Sequence, residues 1–449
     1  MNTVGAFHGR IGVHGFRLSR FALGRNDGEH MTDKSPSFLR WREIPASIWA
    51  RGLVSLLMDV SSEMIHALLP LYLVGVLGAS TLTVGVIEGI AEATASITKI
   101  FSGALSDYLG KRKFLAALGY GLAALTKPIF PLAPNVGWLT AARFVDRLGK
   151  GIRGAPRDAL IADLTPPGLR GASFGLRQSL DTVGAFLGPL LAILFMLLTA
   201  NQFTLVFWIA VLPAFLSVGV IIFGVSEPER PAGAQPMRNP LRRAELARLG
   251  RAYWVVVGVA TLFTLARFSE AFLLLRAQSV GLNVALVPAV MVVMNVVYAA
   301  AAWPAGALSD AVGRFGVMTV GFAVLVAADL ALAFAQNIAW VGIGVALWGL
   351  HMGLTQGLLA ALVADTAPAA LRGTAFGMFN LVTGVAMLVA SILAGGLWDL
   401  FGPRGTFLAG AGFTAVALIA LALVRGKNRA GSSGLRVFAR LECCRNPGT

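Results

Sequence analysis

Acidic and basic side chains recur at helical spacing within otherwise apolar stretches of this sequence. Asp59, Glu63 and His66 are separated by four and three residues, which places them on one face of a helix. Ionisable groups in an apolar setting are costly, so they are candidates for holding an ion or carrying a proton. The densest set comprises Arg143, Asp146, Arg147, Lys150, Arg153, Arg157 and Asp158.

This pattern favours solute binding and proton transfer over enzyme chemistry. The sequence contains no H-E-x-x-H or P-loop pattern. GKGIRG (149–154) matches G-x-G-x-x-G, but it lies inside a predicted membrane helix and not after a strand, so a dinucleotide site is excluded. Cys443 and Cys444 are adjacent and form neither a metal ligand set nor a disulfide framework. We therefore predict no enzyme activity, no catalytic residue, no cofactor and no metal.

The elements that carry the charged residues are predicted to be membrane-spanning helices. Of 449 residues, 56% are hydrophobic and 13% are charged, which excludes a soluble enzyme, a disordered chain and a disulfide-rich secreted domain. A membrane-spanning helix needs about 20 apolar residues. Twelve apolar segments qualify, at 50–76, 84–105, 114–133, 137–161, 172–198, 203–225, 252–275, 284–307, 315–335, 338–364, 373–398 and 405–424. The fold class is an all-α polytopic membrane protein.

The loop charges predict the orientation of the chain. Basic residues concentrate in the loop 107–113, in the polar segment 226–251 and in both tails, whereas the opposite loops near 78–83, 134–137, 199–202 and 336–338 carry none. By the positive-inside rule this predicts a multi-pass protein of the cell (inner) membrane with both termini cytoplasmic. The net charge of +15 is thereby explained by topology and by contact with anionic membrane lipid, and no nucleic-acid partner is predicted.

The two halves of the sequence repeat each other. SGALSDYLGKR (102–112) recurs as AGALSDAVGRF (305–315), and ALIADLTPPGLRGASFG (159–175) recurs as ALVADTAPAALRGTAFG (361–377). A duplicated six-helix unit is the usual construction of secondary transporters, with the binding site at the interface of the repeats. The predicted regions are a basic tail (1–47, of which 1–30 can be an extension upstream of Met31), a bundle (48–225), a linker (226–251), a second bundle (252–424) and a tail (425–449).

The segment GALSDYLGKRK (103–113) resembles the loop motif of the major facilitator superfamily. The matching positions are Gly103, Asp107, Gly110, Lys111 and Arg112, with a second copy at Gly306, Asp310, Gly313 and Arg314. RFVDRLGKGIRGAPRDALIAD (143–163) resembles a branch of archaeal and bacterial members of that family. GAFLGP resembles its fifth-helix antiporter motif at Gly184, Gly188 and Pro189, although Ala192 and Ile193 replace the last two glycines.

This resemblance implies a transporter made of two six-helix bundles that works by alternating access. It also implies that Asp107 contacts the N-terminus of helix 11 and an arginine of helix 4, which would stabilise the outward-facing state. Helices 1, 4 and 7 line the cavity in this family, so charged residues near the middle of the predicted spans are expected to face it.

The candidate site residues fall into two groups. The candidates for proton coupling are Glu63, Glu92, Asp59, Glu88 and Asp181. The candidates for substrate binding are Arg147, Lys150, Arg143, Arg267, Glu270, Trp348, His351 and Gln356. The alternative is that these charges form structural ion pairs between helices, and we favour that interpretation for Asp146, Arg153, Arg157, Asp158 and Arg177.

The predicted function is secondary active transport of a small organic solute, coupled to protons, with efflux by antiport favoured over import. The basic residues of helix 4 favour an anionic or zwitterionic solute over a cationic amphiphile. The predicted partners are therefore a small-molecule solute, protons and membrane lipid, and the protein is expected to be a monomer. One alternative is a uniporter or importer with structural carboxylates, and a more remote one is a membrane sensor on a transporter fold.

Overall fold

A computed structural model describes residues 45–109, 111–165, 170–225, 246, 248–368 and 371–443. Within these residues the chain is α-helical, apart from short connections and one 3-10 turn, and contains no strand. The all-α prediction is confirmed. The predicted tail before residue 45 and most of the predicted linker lie outside the described residues.

The described residues of the N-terminal half form eight helices. Two short helices, α2 and α5, continue longer ones after a brief interruption, so that six spans result. The helices are α1 (Ala46–His66), α2 (Leu69–Gly75), α3 (Thr81–Leu109), α4 (Arg112–Thr126), α5 (Ile129–Leu132), α6 (Val136–Leu164), α7 (Arg170–Leu198) and α8 (Phe203–Gly224).

The C-terminal half repeats this construction. Its first span is interrupted like that of the N-terminal half, and its last helix bends at Gly402, whose φ of 69° lies in the left-handed region that favours glycine. The bend divides this helix into the eleventh and twelfth spans. The elements are α9 (Arg251–Ala266), α10 (Ala271–Ser279), a 3-10 turn (Val284–Leu286), α11 (Ala289–Val312), α12 (Arg314–Ala333), α13 (Ile338–Thr366) and α14 (Arg372–Cys443).

The repeat extends to the way in which corresponding helices begin. The side chain of Asn135 accepts a hydrogen bond from the backbone N–H of Trp138 at the start of α6. Asn337 does the same for Trp340 at the start of α13. An asparagine in this position satisfies an N–H group that has no partner within the helix. The fourth span of each half therefore starts with the same cap.

By length and composition, nine stretches of the described chain could cross a membrane, and one of them, Thr374–Leu423, contains both spans of α14. The two helices outside this set, α3 and α6, are 29 residues long but carry many charged residues. They are covered by protein on several sides, since α6 packs against both α3 and α4. These two charged helices are therefore covered by neighbouring helices, and α3 packs in addition against α14 of the other half.

The two halves meet along two helix pairs, α3 with α14 and α7 with α11. We call the end where α8 stops and α9 begins the linker end, and the other the far end. At the far end the helices touch closely, because a Cβ built on Gly395 would lie only 2.5 Å from the carbonyl oxygen of Thr81. A cavity lies between the halves at mid-length and toward the linker end.

Candidate functional site

The cavity between the halves has two connected parts. The large cavity, of about 410 Å³, reaches from mid-length toward Arg157 and Gln178 near the linker end. The small cavity, of about 220 Å³, lies deeper and is bounded by His66 and by the segment that joins α9 to α10. Both parts share the lining residues Glu63, Glu92, Lys150, Ala185 and Asn295.

Glycines in α7 bring two acidic residues of α1 to the cavity. A Cβ built on Gly184 would lie 2.9 Å from the Cβ of Asp59, and one built on Gly188 would lie 2.6 Å from the Cβ of Glu63. Only glycine permits so close an approach of the two helices. The residues of the predicted antiporter motif therefore pack directly against two of the predicted coupling carboxylates.

A chain of ion pairs extends from the small cavity into the N-terminal bundle. The imidazole of His66 lies 3.4 Å from carboxylate oxygens of both Glu63 and Glu88. Arg143 donates a 2.8 Å hydrogen bond to Glu88, and its guanidinium is 3.9 Å from Asp146. Glu88 and Arg143 are fully buried, which makes this pair a structural link between α3 and α6.

Lys127 continues this chain and was not among the residues predicted from the sequence. Its ammonium group donates to Asp146 at 2.9 Å and to Ser62 at 3.0 Å, and its side chain is 1% exposed. A buried cation of this kind needs such partners to offset the loss of hydration. The signal in the sequence was a charged residue at the end of an apolar helix, next to Pro128.

Among the basic residues of α6, only some are neutralised by a neighbour. Arg147 lies 3.4 Å from Glu92 and 3.9 Å from Asp146. Lys150 lines both parts of the cavity, is exposed to it, and forms no ion pair with another residue of the described chain. Lys150 is therefore the basic residue of α6 that is available to a solute.

A second group of charges lies nearer the linker end. Arg177 donates to Asp181 at 2.8 Å within α7, and Arg157 lies 3.2 Å from Asp158 and 3.8 Å from Asp181. Arg153 stacks over the ring of Tyr120 at 4.7 Å. These contacts join α6 to α7 and to α4, as expected for structural ion pairs and a cation–π contact. Asp181 also lines the large cavity.

The C-terminal half contributes a charged segment where its first span is interrupted. Arg267 and Glu270 line the small cavity between the end of α9 and the start of α10. The amide of Gln356 lies between Tyr298 and Arg267, and with its oxygen turned to Arg267 it accepts at 3.1 and 3.2 Å. Interrupted helices mark solute and ion sites in transporters. This segment therefore faces Lys150 and Glu63 across the cavity.

Two predicted substrate-binding residues lie away from the cavity in this conformation. Trp348 and His351 are fully buried in the C-terminal bundle, with ring centroids 5.3 Å apart, and pack on Phe268 and Phe263. Neither of these two substrate-binding candidates lines the large or the small cavity. The sequence could not reveal this, because α13 is apolar on all sides and has no distinct cavity-facing side.

Asp329 is a buried acid that the sequence analysis did not single out. It is 0% exposed in α12, and neither carboxylate oxygen has a hydrogen-bond partner among the described residues. It packs near Gly410 of α14, where a Cβ would lie 2.9 Å from its oxygen.

The predicted gate residues are described only in part. Gly110 and the side chains of Asp107 and Asp310 lie outside the described residues. Gly103 approaches Ala155 of α6, and Gly313 ends α11 with a φ of 87°. Arg112 donates to the carbonyl oxygen of Ala159 at 3.3 Å, and Arg314 pairs with Asp365, which ties corresponding loops to the fourth span of each half. Lys111 precedes the first turn of α4.

A family profile described as Major Facilitator Superfamily matches residues 52–390 and 256–440 of the chain. An uncharacterised MFS-type transporter of Methanocaldococcus jannaschii is 34% identical, over 82% of this chain and 92% of that protein. The inner membrane transport protein YajR of Escherichia coli is 25% identical, over 82% of this chain and 81% of that protein. The crystal structure of the nucleoside transporter NupG has a TM-score of 0.70 at 12% identity and covers 84% of this chain and 98% of that one.

Proposed function

The chain belongs to the major facilitator superfamily, and we propose that this multi-pass membrane transporter moves a small organic solute by alternating access in exchange for protons. The observation that carries this proposal is the charged cavity between the halves. Both halves line it, and direct contacts between them bound it at the far end. A solute that enters from one end would reach the other only if the halves move.

Carboxylates on the cavity surface support coupling to protons. Asp59, Glu63, Glu92 and Asp181 line it at several depths, so a proton could bind from the solvent that fills it. Glu88 is less suited to exchange, because Arg143 holds it in the buried interior. An acid that is both reachable and partly desolvated is the usual type of proton-binding group in membrane transporters.

The charges of the small cavity support an anionic or zwitterionic solute. Lys150 and Arg267 approach it from opposite halves, and neither forms an ion pair with another described residue. Glu270 and Glu63 provide negative charge nearby. A volume of about 220 Å³ is below the roughly 300–1,000 Å³ of sites for drug-sized ligands, so this part suits a small polar molecule.

Efflux is the direction that we favour, on the basis of the glycines in α7. Gly184 and Gly188 hold α7 against the acidic face of α1, which links the partial antiporter motif to the coupling carboxylates. We further propose that the protein acts as a monomer in the cell (inner) membrane with both termini cytoplasmic, so that the large cavity faces the cytoplasm. The latch role of Asp107 in the outward-facing state stays a prediction.

The test is transport in proteoliposomes with an imposed pH gradient. Vesicles with an acidic interior and trapped pyranine are offered radiolabelled anionic, zwitterionic and cationic solutes, with protein-free vesicles and a protonophore as controls. We expect solute accumulation, accompanied by proton exit, for an anionic or zwitterionic solute. Solute flux that does not respond to the imposed pH gradient would identify a uniporter. A solute that raises the unfolding temperature without any flux would identify a sensor.

A further inference from the structure

His66 occupies a position that no other described histidine shares. Its Nδ1 atom lies 3.4 Å from Oε2 of Glu63, and its Nε2 atom lies 3.4 Å from Oε2 of Glu88. The ring lines the small cavity, whereas His351 is packed among aromatic rings. Both acids border the small cavity, but the Glu63 side chain is 18% exposed and that of Glu88 is 1% exposed and paired with Arg143, so the imidazole lies between an accessible acid and a buried one.

A neutral imidazole carries a proton on one nitrogen only, so it can donate to one of these carboxylates and leaves the other facing a lone pair. The imidazolium ion has a proton on both nitrogens and can donate to both. Hydrogen bonds between charged partners are also stronger than neutral ones. The arrangement therefore favours the protonated ring, and loss of the proton on Nδ1 leaves Glu63 without this donor, while Glu88 keeps its hydrogen bond from Arg143.

We propose that His66 is the group that binds and releases the transported proton, an inference that rests on the proposed coupling of transport to protons. The proton enters from the cavity solvent through Glu63 and binds to Nδ1, while Nε2 keeps its proton within ion-pair distance of Glu88. Release reverses this path once the cavity opens to the other side. Each cycle adds one proton to the ring and removes one.

His66 differs from the other candidates for proton coupling in the charged residues that surround it. Arg143, Arg147 and Lys150 face this region from α6, Glu92 from α3, and Arg267 and Glu270 from the segment between α9 and α10. Glu88, Glu92 and Asp181 each lie beside an arginine, which does not lose its proton. Each of these three acids is therefore already paired with a permanent positive charge, whereas the closest charged partners of His66 are carboxylates.

His66 and Asp59 lie at different depths in the cavity. Asp59 lines only the large cavity, on the side of the linker end. His66 ends α1 and lies just before α2, which packs against α10 where the two halves meet at the far end. A residue that carries a proton by alternating access must be reachable first from one side of the membrane and then from the other. His66 borders the cavity and lies next to the closed far end, so opening of that end would expose it to the other side.

A nuclear magnetic resonance titration tests the bridge without any solute. The full chain, with its five histidines labelled with ¹⁵N, is reconstituted in nanodiscs, and His66→Gln identifies the His66 signals. We expect both ring nitrogens of His66 to be protonated on the acidic side of one transition. Glu63→Gln should move that transition to lower pH by about one unit, a change worth about 1.4 kcal/mol. Asp365→Asn, which alters a carboxylate paired with Arg314 in the C-terminal half, serves as the control.

Cysteine labelling tests whether this proton controls the conformation. Thr182→Cys, a cavity position, is introduced into a chain with Cys443→Ser and Cys444→Ser, and its reaction with a membrane-impermeant maleimide is followed against pH. The rates are divided by those of the same cysteine in the unfolded protein, because the thiolate fraction itself changes with pH. We expect a corrected labelling rate that changes with pH and a flat corrected profile after His66→Gln. An unchanged pH profile in a folded His66→Gln protein, or His66 signals unaffected by Glu63→Gln, would overturn the inference while leaving proton-coupled transport intact. Absence of pH-driven transport in the wild type would instead overturn the proposed function.

Discussion

Asp399 of α14 caps the first turn of α3 by accepting a 3.0 Å hydrogen bond from the backbone N–H of Thr81. The Thr81 hydroxyl donates to the same carboxylate oxygen, and the second oxygen accepts from the backbone N–H of Leu82 at 3.0 Å. A carboxylate at a helix N-terminus satisfies free N–H groups and interacts favourably with the helix dipole. Because the two residues belong to different halves, this cap holds the far end closed.

Replacing Asp399 with Ala is expected to open the far end. The loss of a helix cap costs about 0.5–2 kcal/mol, which corresponds to a roughly 2- to 30-fold change in the populations of the two states. The measurement is the labelling of Met387→Cys, in the small cavity, by an impermeant reagent added at the far side. Thr83→Ala removes a hydroxyl contact with Ser80 in the same loop and is the control. Equal labelling of both variants would contradict the gating role.

Replacing Glu88 with Gln is expected to destabilise the fold. It leaves the charge of Arg143 buried without its closest partner, and breaking a buried pair in this way costs about 3–5 kcal/mol. The free energy of unfolding can be measured by titration with sodium dodecyl sulfate. Lys99→Gln, at an exposed position of the same helix, should change it by less than about 1 kcal/mol. Comparable losses of the free energy of unfolding in both variants would show that the Glu88–Arg143 pair stabilises the fold no more than an exposed residue does.

Replacing Lys150 with Gln is expected to weaken transport of an anionic or zwitterionic solute by about tenfold or more. The lost contact is a hydrogen bond to a charged group, worth about 1.5–3 kcal/mol. The readout is the apparent affinity in the proteoliposome assay. Arg147→Gln should act mainly on stability, because Arg147 is already engaged by Glu92 and Asp146. A solute affinity that depends on Arg147 and not on Lys150 would refute this assignment.

Replacing Gly188 with Ala is expected to impair both packing and coupling. The added methyl group would lie 2.6 Å from the Cβ of Glu63, so α1 and α7 must separate, at a cost of about 1–3 kcal/mol. Gly175→Ala is a matched control in the same helix, where no atom lies within 4 Å of the new methyl group. Thermal unfolding and pH-driven transport are measured for both. The interpretation fails if Gly188→Ala behaves like Gly175→Ala.

The orientation of the chain can be tested with reporter fusions. The loop charges predict that a reporter active only in the cytoplasm works when fused after Gly426 and fails when fused after Asn201. The reverse pattern would place the large cavity on the outer side and would overturn the proposed direction of access.

The sequence alone was sufficient to predict the helices and their order along the chain. Each apolar segment carries its own signal of length and hydropathy, and the structure has a helix at each predicted span, including the charged segment that became α6. The motifs around Gly103 and the internal repeat likewise identified the family, because both are local patterns of residues. The sequence also showed that Asp59, Glu63 and His66 share one face of α1, and in the structure all three border the cavity.

Which charges face a solute was decided only by the tertiary structure. Arg143, Arg147 and Lys150 recur at similar spacing in one helix, yet Arg143 is bound by Glu88, Arg147 lies beside Glu92, and Lys150 is left in the cavity. The rotation and tilt of a membrane helix are set by packing against its neighbours, and its own sequence does not specify them. The same reason explains why Trp348 and His351 turned toward the core of their bundle. It also explains the pairing of Lys127 with Asp146, because their contact depends on how α4 and α6 pack together.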